Sequence, residues 1–241
     1  MPTPGTFIRL RDWPEGSYTN ADLNKEGIGM RRGEVLVGGP TVSLGYLVDE
    51  KNPDPEIQKK NEEDFITIDG VRYFCTGDVG QVNKRGCLMI VDRKKDLFKG
   101  DTGEYVSLSK VESFLKLSPH VEFPMVYGRT GAKTVIALIC PKKFAIEAIA
   151  KDKGITGAFD ELCKHEVVVE AVTKSCLQAC KEGKLLGFEI PSAIVLCATP
   201  NGEPAWTPEN DLLTTTLKLK RPVIAKAFEA EITDAYKRSG Q

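Results

Sequence analysis

An α+β fold in two segments is predicted by three features of the sequence. Up to about residue 92, short apolar stretches alternate with glycine and proline, which is typical of strands joined by turns. A charged stretch with glycines follows at 92–105 and is typical of a linker or hinge. Beyond it, helical and strand-like periodicities alternate. We therefore predict two domains, a β-rich one at 1–92 and a compact α+β one at 93–241.

Strand and turn patterns account for most of the first segment. The predicted strands lie at 6–10, 34–38, 44–47, 71–75 and 87–91, with a glycine turn at 84–86 between the last two. The polar stretch 52–64 suits a surface helix followed by a loop. Thr76-Gly77-Asp78 follows a predicted strand and, by itself, is typical of a turn.

Helices dominate the second segment. Helices are predicted at 108–119 (ended by Pro119), 142–153, 166–182 and 222–237 (beginning at Pro222), and strands at 121–127, 134–140 and 193–197. The stretch GRTGAKT at 128–134 is similar to a phosphate-binding loop. Because Ala132 separates Gly131 from Lys133 and a strand follows, we interpret it as a hairpin turn.

Composition and charge narrow the functional classes. The net charge of −1 gives no reason to expect nucleic acid as a partner. The longest apolar run has six residues, 135–140, whereas a membrane-spanning helix needs about 20. The first residues, MPTPGTFIRLRDW, contain no apolar signal core. A cytoplasmic location is expected, and peripheral contact with a membrane stays open.

The cysteines predict buried thiols and no metal site. The seven cysteines form no Cys-x-x-Cys pair, and the chain has only two histidines, His120 and His165. These residues do not make a zinc-binding pattern. We expect reduced cysteines that contribute to the interior.

Four stretches could carry chemistry, although each also has a simple structural explanation. Asp78 is suited to accept two hydrogen bonds from a vicinal diol such as a ribose. Arg93, in a charged run, offers a fork of donors to ribose or phosphate oxygens. The stretch 99–106 contains two glycines, which allow a close backbone bend. In an extended segment, Lys218 and Lys220 would share one face, where a lysine could stabilise negative charge.

The order and spacing of these stretches resemble those of adenylate-forming ligases, and most closely the long-chain fatty acyl-CoA synthetases. The resemblance rests on GEVLVGGPTVSLGY (33–46), YFCTGDVGQVNKRGCLMIVDRKKDLFKGDTGEYVSLSKVE (73–112) and LTTTLKLKR (213–221). It extends over nearly the whole chain and is weakest at 142–190. It implies that 1–92 is the end of a β-barrel-like subdomain of the large domain, and that 93–241 is a small mobile C-terminal α+β domain.

The resemblance also implies a two-step reaction. ATP and a fatty acid would give acyl-AMP and pyrophosphate, and the thiol of coenzyme A would then displace AMP. The substrates would be a fatty acid, ATP and coenzyme A. Magnesium would be required, with its site mainly in an upstream part of the large domain. The small domain would rotate between the two steps and present different residues to each.

Residue roles follow from the resemblance for the first part of the chain. Asp78 would bind the ribose hydroxyls of ATP or AMP. Arg93 would contact the same ribose region. Lys95 falls on the hinge position. Lys99 and the loop 100–104, with Gly103 and Glu104, would face the active site during thioester formation.

Lys218 falls where the family keeps the lysine of the adenylation step, bridging carboxylate and phosphate. We prefer it to Lys220. The family branch has Pro-Thr-Phe before this lysine, whereas this chain has Thr215-Thr216-Leu217, so the shape of the loop is in question but the charge is not.

Two motifs of the family are absent from this sequence: the Ser/Thr/Gly-rich phosphate loop and the aromatic-Gly-x-Thr-Glu segment. We therefore expect a C-terminal third of a ligase that requires the missing N-terminal part of the large domain and does not activate fatty acids alone. Two alternatives stay open: a non-catalytic nucleotide-binding or interaction module of the same fold, and a ligase for another carboxylic acid.

Overall fold

The computed structural model describes residues 3–49, 51–198 and 206–240. The chain divides into two compact units, Met1–Leu97 and Phe98–Gln241. The division lies a few residues after the boundary expected at residue 92. The predicted α+β class is confirmed, because a mostly antiparallel β unit precedes a unit of mixed strands and helices.

The first unit is an antiparallel sheet of five strands with one helix. Its elements are β1 (Phe7–Arg11), β2 (Arg31–Gly38), α1 (Pro55–Asp64), β3 (Phe65–Ile68), β4 (Val71–Val82) and β5 (Leu88–Arg93). The strand order is β1-β2-β4-β3, and β5 pairs with the second half of β4. The sheet forms a half-barrel whose small core includes Leu36, Tyr73 and Cys75. Strand β4, which pairs with three others, is the centre of the unit.

Strand β4 contains a bulge at Thr76-Gly77-Asp78. In the register with β2, Cys75 faces Leu36 and Val79 faces Glu34, so three residues of β4 lie opposite one residue of β2. Gly77 takes up this mismatch with a φ of +72°, which glycine adopts without steric cost. The expectation of a turn at 76–78 is therefore wrong, because the chain continues as a strand on both sides.

The second unit contains a three-stranded sheet and a two-stranded one. Its elements begin with β6 (Leu97–Lys99), β7 (Tyr105–Ser107), α2 (Leu108–Leu115), β8 (Val121–Tyr127), β9 (Ile136–Pro141) and α3 (Lys143–Asp152). They continue with α4 (Phe159–Lys164), α5 (Glu166–Glu182), β10 (Ile194–Leu196), α6 (Arg221–Ala227) and α7 (Glu229–Arg238). Strand β9 lies between β8, which is antiparallel to it, and β10, which is parallel.

Strand β9 organises the second unit because both of its faces are buried. Ala137 and Ile139 pack into a cluster with α2, α3 and α5. Ile136, Leu138 and Cys140 pack into a second cluster with α6 and α7. This arrangement explains why the longest apolar run of the sequence lies here, since a strand covered on both faces needs no polar alternation. The hairpin predicted at 128–134 joins β8 to β9.

Three further local expectations are wrong, and one helix is missing from the sequence prediction. Residues 44–47 form no strand. Instead, the guanidinium of Arg72 donates to the carbonyls of Ser43 and Leu44 and holds them as a loop. The helix α4 was not predicted, and the expected helix at 222–237 is two helices divided at Phe228, whose buried side chain packs with Trp206. The LKLKR stretch is not extended, as described below.

Within the described residues, no helix is long and apolar enough to cross a membrane.

Six of the seven cysteines are buried, and Cys87 is exposed. Burial raises the pKa of Cys140 and Cys163 to about 12. These thiols are therefore protonated near neutral pH and act as small apolar side chains, as the sequence predicts.

His120 should make the stability of the protein sensitive to acid. Its Nδ1 atom is buried without a hydrogen-bond partner among the described residues. Burial, with a smaller effect of Lys142, lowers the pKa of the imidazole below its ordinary value. The unfolded chain therefore binds a proton more readily than the folded protein. The free energy of unfolding should fall as the pH drops below about 6.5.

Urea unfolding at pH values from about 7.5 to about 5 measures this effect. The variant His120→Gln should lose less stability over this range than the unaltered protein. His165→Gln serves as the control for removing a histidine, because the imidazole of His165 is exposed. The same acid dependence in the unaltered protein and in His120→Gln would contradict the prediction.

Candidate functional site

Asp78 and Arg93 form an ion pair on the sheet of the first unit. They face each other in the register between β4 and β5, and the Nε of Arg93 donates to Oδ1 of Asp78 at 2.8 Å. Mainly through this hydrogen bond, Asp78 raises the pKa of Arg93 above its ordinary value. The side chain of Asp78 is 27% exposed and that of Arg93 is 60% exposed. The hydrogen bond uses only Oδ1 of the acid and Nε of the base, so Oδ2 and the terminal nitrogens take no part in it.

The bulge in β4 fixes the direction of Asp78. Thr76 donates its hydroxyl to the carbonyl of Val35 at 2.8 Å and accepts the backbone N–H of Asp78 at 3.1 Å. Both bonds act on the short segment that contains Gly77. The carboxylate consequently projects from a hydrogen-bonded sheet and not from a mobile loop, which suits a binding residue.

A buried carboxylate lies close to the predicted hinge. Glu34 is only 3% exposed and accepts hydrogen bonds from Nε of Arg11 at 3.0 Å and Nζ of Lys94 at 3.3 Å. The two cations compensate the buried charge. Lys95, the next residue, is exposed in the short 3-10 turn Lys94–Asp96 near the end of the first unit. Its role as a hinge stays a prediction.

In the second unit, the glycine loop (residues 100–104) is a tight connection between β6 and β7. Gly100 donates its N–H to the carbonyl of Glu104, and Gly103 donates to that of Gly100, each at 2.9 Å. Gly103 adopts a φ of +87°, which favours glycine at this position. Glu104 is exposed, and Nζ of Lys99 lies 5.4 Å from the ring centroid of Tyr105. The backbone of the loop is therefore well defined.

The Lys218 loop (residues 213–219) is a closed turn and not the extended segment expected. Leu213 and Leu219 form an antiparallel bridge. Thr214 closes the loop, because its N–H donates to the carbonyl of Lys218 at 2.8 Å and its Oγ1 accepts the N–H of Lys218 at 3.0 Å. Leu217 adopts a φ of +58°, where a Cβ atom is unfavourable.

The loop also separates the two candidate lysines. Lys218 is exposed, and its ammonium group forms no ion pair within the described residues. Lys220 pairs with Asp211 and lies at the start of α6. The idea that the two lysines share a strand face is therefore wrong, because the segment is curled. Of the two, Lys218 has the ammonium group that is available to a ligand.

The structure brings some of the predicted site residues together. Asp78 and Arg93 are in contact in the first unit, whereas the glycine loop and Lys218 lie in the second. Thr214, which shapes the Lys218 loop, was not predicted from the sequence, because a hydroxyl residue four positions before a lysine is only a weak signal.

Among the described residues, no group of three His, Cys, Asp or Glu side chains could hold a metal ion.

Solved structures with the same fold are adenylate-forming domains. The adenylation domain of a carboxylate reductase from Mycobacterium chelonae superposes with a TM-score of 0.73 and 26% identity, over 97% of this chain and 31% of that one. The corresponding domain from Segniliparus rugosus, in complex with AMP and a co-purified carboxylic acid, has a TM-score of 0.75, 24% identity, and coverage of 98% and 32%. The fold is therefore that of part of an adenylation domain.

Sequence relatives define the branch. The chain is 38% identical to long chain acyl-CoA synthetase 8 of Arabidopsis thaliana and 39% identical to fatty acyl-CoA synthetase B of Dictyostelium discoideum. Each match includes 98% of this chain, but only 30% of the Arabidopsis protein and 32% of the Dictyostelium protein. No family model matches. The resemblance is confirmed: the chain is a homologue of long-chain acyl-CoA synthetases, within the adenylate-forming superfamily, and spans about a third of their length.

The strained backbone of Leu217 leads to a prediction about stability. Leu217→Val should destabilise the protein by about 1 kcal/mol, because a β-branched side chain is least compatible with a left-handed backbone. Leu217→Gly should be neutral or stabilising, since Leu217 is 58% exposed and buries little apolar surface. Urea unfolding measures both variants. Leu117→Val is the control, because Leu117 is 71% exposed and does not have a positive φ. Equal effects of the two valine variants would contradict the prediction.

Proposed function

We propose that this chain is the C-terminal part of an AMP-forming long-chain fatty acid–CoA ligase. In this proposal, residues 1–92 complete the β-barrel-like subdomain of the large domain, and residues 93–241 are the small mobile domain. The observation that carries the proposal is the Asp78–Arg93 pair, whose carboxylate projects from the bulge in β4, in a chain 38% identical to a long-chain acyl-CoA synthetase.

The Asp78–Arg93 pair fits the ribose of a nucleotide. A carboxylate that keeps one free oxygen can accept hydrogen bonds from both hydroxyls of a vicinal diol. Arg93, fixed through its Nε, still has donors on its terminal nitrogens for ribose or phosphate oxygens. ATP before the first step and AMP after it share this ribose. The same pair therefore serves the nucleotide throughout the reaction.

Lys218 suits the adenylation step. Formation of an acyl-adenylate brings a fatty acid carboxylate against a triphosphate, and the two negative charges repel. An exposed ammonium group on a well-defined loop can approach both anions and stabilise the charge that develops between them. Lys99 and the glycine loop, with Gly103 and Glu104, would serve the coenzyme A step after the small domain rotates at Lys95. Magnesium, bound mainly by upstream residues, would neutralise phosphate charge.

An exposed apolar edge supports the idea that further sequence completes the large domain. Among the residues that the structure describes, strand β5 pairs with β4 and with no other strand. Four consecutive side chains on it are between 38% and 57% exposed, namely Leu88, Met89, Ile90 and Val91. Exposed apolar side chains on both faces of a strand with one free edge are unfavourable in water and favour a protein surface that covers them. We propose that the upstream part of the large domain supplies this cover, the phosphate loop and the fatty-acid tunnel.

Two other functions have some support. A non-catalytic nucleotide-binding or interaction module is favoured by the short match, since the chain spans about a third of its relatives. A ligase for another carboxylic acid has support because a solved structure with this fold is the adenylation domain of a carboxylate reductase, not of a fatty acid–CoA ligase. Both share the nucleotide site and differ from the main proposal in catalysis or in the acid.

Binding of AMP tests the nucleotide site directly. Isothermal titration should detect weak binding of AMP to this chain, and Asp78→Ala should weaken it at least about tenfold, because a charge-assisted hydrogen bond contributes about 1.5–3 kcal/mol. Asp69→Ala is the matched control, since Asp69 is also paired with an arginine on the same sheet but is 82% exposed. Identical affinities of the unaltered protein and Asp78→Ala would exclude the assigned role.

A fusion tests the catalytic roles. This chain would replace the matching part of the Arabidopsis relative, and release of pyrophosphate from ATP would be measured with a long-chain fatty acid and magnesium. The fusion should be active, and Lys218→Ala should lower its kcat at least about 100-fold. Formation of the thioester from supplied acyl-AMP should persist in that variant. Lys220→Ala, which removes the partner of Asp211, should have a smaller effect.

Two results would count against these assignments. An equal loss in both half-reactions of Lys218→Ala would refute the role of Lys218 in adenylation. Robust release of pyrophosphate by this chain alone would refute the requirement for an upstream part.

A further inference from the structure

A partly buried ion pair in the second unit joins α2 to the start of α6, and neither of its residues is a candidate site residue. Glu112 of α2 is 14% exposed and uses both of its oxygens. Oε1 accepts the backbone N–H of Val126 in β8 at 2.8 Å, and Oε2 accepts Nη2 of Arg221 at 2.7 Å. Arg221 also donates from Nη1 to the carbonyl of Val126 at 3.3 Å. The three residues fasten α2, β8 and the start of α6 to one another.

The position of this pair in the chain connects two candidate segments. Arg221 follows Lys218 after only Leu219 and Lys220, so it fixes the end of the Lys218 loop. Glu112 lies on the helix that begins directly after β7, the strand into which the glycine loop leads. The Glu112–Arg221 ion pair thus links α6, which begins just after the Lys218 loop, to α2, which follows the glycine loop and β7.

We propose that Glu112 and Arg221 are positioning residues whose ion pair holds the end of the Lys218 loop in place by tying the start of α6 to α2 and β8. This proposal rests on the proposed role of Lys218. The ammonium group of Lys218 has no ion-pair partner within the described residues, so its location depends on the backbone beneath it. A group that stabilises developing charge must be held within about 0.5 Å of its working position. Arg221 supplies this constraint at the end of the loop, and the Leu213–Leu219 bridge closes its base.

Arginine is better suited than lysine to this task. Its planar fork contacts the carboxylate of Glu112 and the carbonyl of Val126 at the same time, whereas a single ammonium group cannot reproduce both directions. Glu112 is only 14% exposed, so removing Arg221 leaves a mostly buried carboxylate without its charge partner. The local effect should therefore be larger than that of an exposed ion pair, for which the contribution is small.

Amide hydrogen exchange on this chain, followed by NMR, tests the anchor. In the unaltered protein, the N–H groups of Leu217 and Lys218 donate to Thr214, and that of Lys220 donates to Leu212. In Arg221→Met, these three N–H groups should exchange at least about tenfold faster. The amides of β9 should change much less. Arg221→Lys keeps the positive charge and should restore part of the protection against exchange. If Arg221→Met folds poorly, the exchange rates of Arg221→Lys can still be compared with those of the unaltered protein. Arg238→Met breaks an exposed ion pair with Asp234 in the same unit and is the control.

Two exchange results would overturn the proposal. Unchanged exchange in the Lys218 loop would mean that Arg221 does not hold it. An equal acceleration of all amides in the unit would mean that the pair contributes only to global stability.

The kinetics of the fusion supply the functional arm. Arg221→Met should lower kcat for adenylation about tenfold with the KM for ATP nearly unchanged, and Arg221→Lys should be intermediate. A faster-exchanging loop with an unchanged kcat would overturn the positioning role. If the unaltered fusion is inactive, the proposed function fails. The exchange experiment still decides whether the anchor exists, because it requires no catalysis.

Discussion

A mismatch between two strands determines the candidate nucleotide site. Three residues of β4 lie opposite one residue of β2, and the additional length must leave the sheet as a bulge. Gly77 absorbs the unusual backbone angle, and Thr76 ties the bulge to Val35. On the other side of β4, the register with β5 places Asp78, the last residue of the bulge, directly opposite Arg93. The carboxylate is thus held by backbone geometry, and the arginine by the carboxylate.

The second unit depends on a different constraint, which is the burial of β9 on both faces. Because helices must cover each face, α2, α3 and α5 pack on one and α6 and α7 on the other. The Lys218 loop precedes α6, and the glycine loop leads through β7 to α2, so the helices that follow the two loops belong to opposite layers. The ion pair of Glu112 and Arg221 joins these layers next to β8. In this way the packing of an apolar strand sets the framework for two exposed polar segments.

Charge placement differs between framework and candidate site. Glu34, Glu112 and Glu189 are largely shielded and satisfied by cations, which is the condition for tolerating a carboxylate away from water. Asp78, Arg93 and Lys218 instead keep groups that solvent can reach. This contrast is expected of a protein in which fixed ion pairs support a few charged groups reserved for a ligand.

Elements with strong, local patterns can be predicted from the amino-acid sequence. The α+β class, most strands and helices, the buried thiols and the hairpin at 128–134 follow from periodicity, glycine placement and cysteine chemistry. The similarity to long-chain acyl-CoA synthetases also followed from motifs read in order. Tertiary structure alone decided the bulge at Thr76-Gly77-Asp78, the curled Lys218 loop and the break at Phe228. At each of these positions a long-range contact overrides local propensity: pairing with β2, closure by Thr214 and packing against Trp206. A one-dimensional pattern does not contain the partner strand or the distant side chain, so these features could not be predicted from it.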